Sequence, residues 1–229
     1  MSARALPLVT ALLGVLTLGA FLALGSQPAV RAVYSASEIS TNVSVFQRAE
    51  TLGDIAAVFG APADPAKMSA MDALNTLDLY AFIPAYALFL VAAAILLGGL
   101  RNRSTQIAIV FALLGAVGDA IETWKQLQLT ADIANAETHL PIAPWHWLKY
   151  GALALNGVAV ATICVTSAKK RWALGAIAFV SFPIVVLSYM DAITPRAFAA
   201  TFALYWIALL VVAAMEAIKP SASATSSQP

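Results

Sequence analysis

In this chain of 229 residues, 61% are hydrophobic and only 11% charged, whereas soluble domains run nearer half apolar and a quarter charged. A formal net charge of +1 excludes the basic footprint that nucleic-acid binding requires. The single cysteine, Cys164, excludes an internal disulfide or a paired-thiol redox centre, and its apolar neighbours in ATICVTS mark it as inert. The length suits one helical bundle with modest loops. The expected fold is therefore all-α: a polytopic transmembrane bundle of about six helices over residues 1–220, with a disordered polar tail over 221–229.

A bilayer core takes about 20 mostly apolar residues per helix, and six stretches meet that demand. The first runs from Ala5 to Gly25; its apolar run exceeds the core of a cleaved signal peptide, so it reads as a retained helix. Residues 26–77 then form a long outer segment. Within it, VSVFQRAETLGDIAAVFG (Val43 to Gly60) puts Val45, Leu52, Ile55, Ala56 and Phe59 near one helical face, with Arg48, Glu50 and Asp54 elsewhere. That pattern predicts an amphipathic surface helix held by its apolar face, in which Leu52 matters and Arg48 does not. Asp64 followed by Pro65 is a helix start, so the second membrane helix, Tyr80 to Leu100, is expected to begin outside the bilayer. The third, Ile107 to Glu122, ends in acids. The fourth, Trp147 to Val165, follows Pro144. The fifth, Trp172 to Tyr189, carries Pro183, and the sixth covers Phe198 to Ile218.

Orientation follows from the cations. With the amino terminus inside, Arg4, Arg101, Arg103, Lys169, Lys170, Arg171 and Lys219 share the inner side with one acid, Glu216, and the short RNR and KKR turns are where the positive-inside rule is strongest. The reading is an integral protein of a bacterial inner (plasma) membrane with both termini cytoplasmic.

Laid on this topology, the polar residues converge on the outer side. Asp78, Tyr80 and Tyr86 fall on the second helix, and Asp119, Glu122 and Trp124 on the third. His146, Lys149 and Tyr150 open the fourth, Tyr189 and Asp191 close the fifth, and Arg196 precedes the sixth. Spacings of three and four put Asp119 with Glu122, and His146 with Lys149 and Tyr150, on common faces. Asn156 continues the second stripe inward, and Ser181, Ser188 and Asp191 line up on the fifth helix. Such residues face a bundle interior or a wet cavity, since lipid exposure costs a few kcal/mol each.

The expected site is a polar vestibule open to the outer face. Asp119, Glu122 and His146 are its candidate acid–base groups, because crowded carboxylates beside an imidazole suit proton transfer. Asp78, Tyr80, Tyr86, Trp124, Lys149, Tyr150, Tyr189, Asp191 and Arg196 are its candidate binding residues. The ligand implied is a membrane lipid or small amphiphile, and no cofactor is specified.

Two other readings stand beside this one. In the first, Asp78, Asp119, Glu122 and Asp191 merely neutralise Lys125, Lys149 and Arg196 and tie helix ends together, as in a structural or assembly subunit with a membrane-protein partner. In the second, the chain is a small proton-coupled carrier, which needs polar groups reaching both sides; Asn156 and Glu216 are its only hints. Asp119, Glu122, His146 and Asp191 are competent metal ligands, yet His139 and His146 lack any compact metal-binding spacing, so no metal is assigned. Neither a GxSxG serine nor a glycine-rich phosphate loop is present.

The topology makes a direct prediction. Cysteines placed at Ser40 and Ala136 should react with an impermeant thiol reagent from outside, and one at Ser104 only after permeabilisation; labelling of Ser104 in intact cells would reverse the orientation.

Overall fold

The computed structural model describes residues 4–219, and within them every regular element is a helix. The tail expected over 221–229 lies outside the described residues. Ten α-helices follow in order: α1 Ala5–Leu24, α2 Pro28–Val33, α3 Ala36–Gln47, α4 Leu52–Phe59, α5 Pro65–Leu77, α6 Ile83–Gly98, α7 Arg103–Ala131, α8 Ala143–Thr166, α9 Trp172–Tyr189 and α10 Pro195–Ile218. A π-turn, Asp78–Phe82, joins α5 to α6 without a break, and a 3₁₀ segment, Ile133–His139, links α7 to α8. Six of the helical stretches are long and apolar enough to cross a membrane, among them the continuous Pro65–Gly98.

The six long helices close into a ring, α1–α6–α7–α8–α9–α10 and back to α1, with α7–α8 and α8–α9 the most extensive contacts. Inside it lies an apolar core that includes Tyr86, Phe89, Leu90, Leu153, Val160, Phe202 and Tyr205. At 29 residues, α7 is about 44 Å long, well beyond a bilayer core of about 30 Å. Its last turns project past the ring and join α2–α5 in a second core, where Leu129 packs with Val30, Phe46, Ile55, Phe59, Met71 and Ile142. The molecule is thus a ring with a cap, each built round its own apolar interior.

The cap differs from the single surface helix expected over Val43 to Gly60. The chain breaks after Gln47 and restarts at Leu52, because Thr51 and Asp54 form a reciprocal capping box. The Asp54 carboxylate accepts from the backbone N–H of Glu50 at 3.0 Å and of Thr51 at 2.9 Å, and the Ala49 carbonyl accepts from Ile142 N–H at 2.9 Å. Backbone groups that would have continued α3 are therefore spoken for. The break also turns the faces: Leu52 is 52% exposed, while Phe46 and Val58 are buried.

A second local rule shapes the π-turn. Pro84 has no N–H to offer the Tyr80 carbonyl four residues back, and its ring crowds that oxygen. The backbone widens instead, and Ile83 N–H bonds to the Asp78 carbonyl five residues earlier.

In the cap, Ile55→Ala should cost about 2–5 kcal/mol and Leu52→Ala no more than about 0.5 kcal/mol, measured by thermal unfolding of the detergent-solubilised protein. Asp54→Ala should cost about 1 kcal/mol. The backbone N–H of Glu50, desolvation notwithstanding, and then Thr51 hold the Asp54 carboxyl below its ordinary 3.8. A lowered carboxyl stabilises the fold above its unfolded-state value, so the Asp54 contribution should persist at neutral pH and vanish as pH falls through the lowered value.

Candidate functional site

The ring and the cap meet at a buried polar cluster. Lys149 of α8 donates to Asp119 Oδ1 at 2.8 Å and to Glu122 Oε1 at 3.0 Å, both on α7. Tyr86 of α6 donates its hydroxyl to Asp119 Oδ2 at 3.0 Å. Thr123 Oγ1 donates to Asp78 Oδ2 at 3.3 Å. His146 lies one helical turn before Lys149, with Nδ1 3.6 Å from Glu122 Oε2, beyond direct hydrogen-bond reach. Its ring meets those of Trp147 and Tyr150 edge-on, each at 4.8 Å between centroids. Asp78, Tyr86, Asp119, Glu122, His146 and Lys149 are all buried.

Two glycines make this closeness feasible. A Cβ on Gly118 would stand 3.0 Å from the Lys149 backbone nitrogen, and one on Gly115 would stand 2.9 Å from the Leu153 side chain. The GAVGDAIE run thus lets α8 lie against α7 where Asp119 and Glu122 emerge, so that a lysine side chain reaches both.

The charges in the cluster do not balance. Asp78, Asp119 and Glu122 face one ammonium, Lys149, and among the described residues no other lysine or arginine pairs with them. Asp78 Oδ1, Glu122 Oε2 and His146 Nδ1 are buried without a hydrogen-bond partner. Buried polar atoms are normally satisfied, and exceptions concentrate at sites that take up a proton, an ion, water or a ligand.

Two cavities converge here. A chamber of about 410 Å³ lies under the cap, with α3 residues Ile39, Val43 and Gln47 on one side and Asp78, Asp119, His146, Lys149 and Ser188 on the other. A narrower slot of about 110 Å³ runs between α1, α6 and α10, lined by Phe21, Phe82, Phe89, Phe202 and Trp206. Phe82, Asp119, Lys149 and Tyr150 line both.

Of the residues expected at the site, the structure brings together Asp78, Tyr86, Asp119, Glu122, His146, Lys149 and Tyr150. Others fall elsewhere. Tyr80 is 72% exposed and Trp124 52% exposed, because each stands two residues, about 200° of helix, past an inward-facing acid. Tyr189 is exposed and packs on Trp147. Asp191 pairs with Arg48 of the cap at 2.7 Å across a shallow outer cleft that Tyr189 also lines, so Arg48 is not the idle residue its helical phase implies. Arg196 is exposed on the first turn of α10.

Sequence reasoning passed over Thr123, Arg48 and the aromatic wall of the slot. The π-turn at Asp78 was signalled by Pro84; the wall was not, since its contacts join α1, α6 and α10. Asn156 donates to the Ala108 carbonyl at 2.8 Å and accepts from Tyr205 at 2.9 Å, a closed pair of bonds. Among the described residues, no group of three or more His, Cys, Asp or Glu is arranged to hold a metal ion. Comparison with protein-family models, curated proteins and solved structures finds no match to this chain.

Lys149→Met should lower stability by about 3–5 kcal/mol, the cost of leaving buried charges without their partner. Adding Asp119→Asn to it should recover part of that loss, a coupling readable from thermal unfolding of the two single variants and the double.

Proposed function

We propose that the protein is an integral membrane protein, with both termini cytoplasmic in a bacterial inner (plasma) membrane, whose outward-facing pocket binds a membrane lipid or small amphiphile. One observation carries this reading: a chamber with polar groups gathered on one wall and an aromatic-lined slot meet at Asp119 and Lys149. That geometry matches a molecule with a polar head and an apolar tail, since ligand sites combine mostly apolar walls with a few convergent polar groups. The slot is walled by α1 and α10, whose outer faces carry exposed Leu12, Leu16, Leu204 and Val211. In a bilayer those faces meet lipid, so a tail reaches the slot sideways without crossing water.

Chemistry at the head group would fall to Asp119, Glu122 and His146. Asp119 borders both cavities and is reached by the Tyr86 hydroxyl; Glu122 stands behind it, between Lys149 and His146. A proton arriving from the chamber meets Asp78, His146 or Asp119 first, and Lys149 stabilises whichever of Asp119 and Glu122 is left ionised. This is an arrangement for general acid–base work on a bound head group.

The scaffold alternative is favoured by the same ion pairs, which tie α7 to α8. It leaves the chamber and the unpartnered Asp78 oxygen without a use. The carrier reading has less support, since both polar atoms of Asn156 already have a partner and Glu216 is occupied by Lys169, Arg171 and Lys219.

Replacing Asp119 by Asn or Glu122 by Gln separates site from scaffold. Because carboxylates outnumber cations in the cluster, at least one of these variants should keep its thermal stability within about 1 kcal/mol or gain while losing bound amphiphile. A clear stability loss in both, with lipid still bound, would leave only the scaffold reading.

A further inference from the structure

The chamber also carries information about the head group it takes, on the premise that the pocket binds an amphiphile at all. Asp78 lines the chamber and is buried, with Oδ2 accepting from Thr123 and Oδ1 accepting from nothing. The π-turn holds it there, since Asp78 is the first residue of the widened segment that Pro84 imposes. A buried carboxylate oxygen without a donor, on a residue that borders a cavity, is an unfilled acceptor.

Charge narrows the choice. The two cations that line the chamber are already engaged, Lys149 with Asp119 and Glu122 and Arg48 with Asp191, so a phosphate or carboxylate head would add an anion beside uncompensated buried acids, where like charges repel more strongly than in water. The slot supplies a complementary feature. Trp206 lines it, and its indole N–H is buried without an acceptor, as suits a carbonyl oxygen linking head to tail.

We infer that the ligand is an amphiphile whose head group donates hydrogen bonds and bears no negative charge, either a hydroxyl-bearing neutral lipid or a long-chain amine, with the donor directed to Asp78.

The test uses the full chain in detergent and native mass spectrometry at pH 8 with three probes of equal chain length: monoolein, oleylamine and oleate. Monoolein, oleylamine or both should be retained at least about tenfold over oleate, since a hydrogen bond to a charged group is worth roughly 1.5–3 kcal/mol and each 1.4 kcal/mol is about a decade in affinity. Whichever of the two is held more tightly identifies the source of the donor. Asp78→Leu should abolish that preference. Asp78→Asn, which keeps a carbonyl acceptor and the residue's shape, should still retain monoolein but favour oleylamine less. Oleate bound as well as the other two, or selectivity unchanged in Asp78→Leu, overturns the inference and leaves the pocket standing. Retention of none of the three by the wild-type chain removes the pocket reading itself.

Discussion

The arrangement of the molecule turns on one buried lysine. An ammonium costs several kcal/mol to take out of water unless carboxylates and further hydrogen bonds replace its hydration, and Lys149 finds that replacement only where Asp119 and Glu122 stand one turn apart on α7. The register of α8 against α7 is thereby fixed. Sliding either helix by a residue would carry Lys149 round to an apolar wall and leave two acids unpaired. Apolar packing alone would tolerate several registers in helices this uniformly hydrophobic, so the ion pairs supply much of the specificity and the surrounding core most of the cohesion.

That register has a geometric precondition and a consequence. The precondition is backbone approach, which Gly118 and Gly115 permit by presenting no Cβ to Lys149 and Leu153. The consequence is an excess of acid. Asp119 and Glu122 together need one ammonium to share, and Asp78, brought alongside by the π-turn, has only a threonine hydroxyl. A cluster built purely to lock two helices needs no third acid facing a cavity. The excess is tolerable because the chamber of about 410 Å³ beside it is large enough to admit water or a proton.

How much of this was legible in the sequence depended on the range of the interaction. The six long helices were visible because an apolar run of the right length is a local property. Asp119 with Glu122, and His146 with Lys149 and Tyr150, were visible because spacings of three and four fix a shared face before any tertiary contact is known. Proximity to acids suggests an inward position for Tyr80 and Trp124, whereas a two-residue offset points them the opposite way. In the cap, apolar periodicity was followed through Val43 to Gly60, while the Thr51–Asp54 capping pattern inside it marked a new helix start. Pairings such as Arg48 with Asp191, 143 residues apart, and the slot of α1, α6 and α10 had no local signal at all.

The two ends of the ring show why burial decides what a charge does. At the end away from the cap Glu216 gathers Lys169, Arg171 and Lys219, an assembly richer in ion pairs than the cluster beneath the cap. Lys169 and Lys219 are exposed, however, and surface pairs of that kind contribute roughly 0–1 kcal/mol each because water competes for every partner. Around Lys149 the same residue types are buried between two apolar cores, so an unmatched carboxylate there meets solvent only by way of the chamber. Whatever offsets it must come through the chamber or the slot, and for that reason the cluster lies at the seam between ring and cap, where α3 lines the chamber and α1 and α10 line the slot.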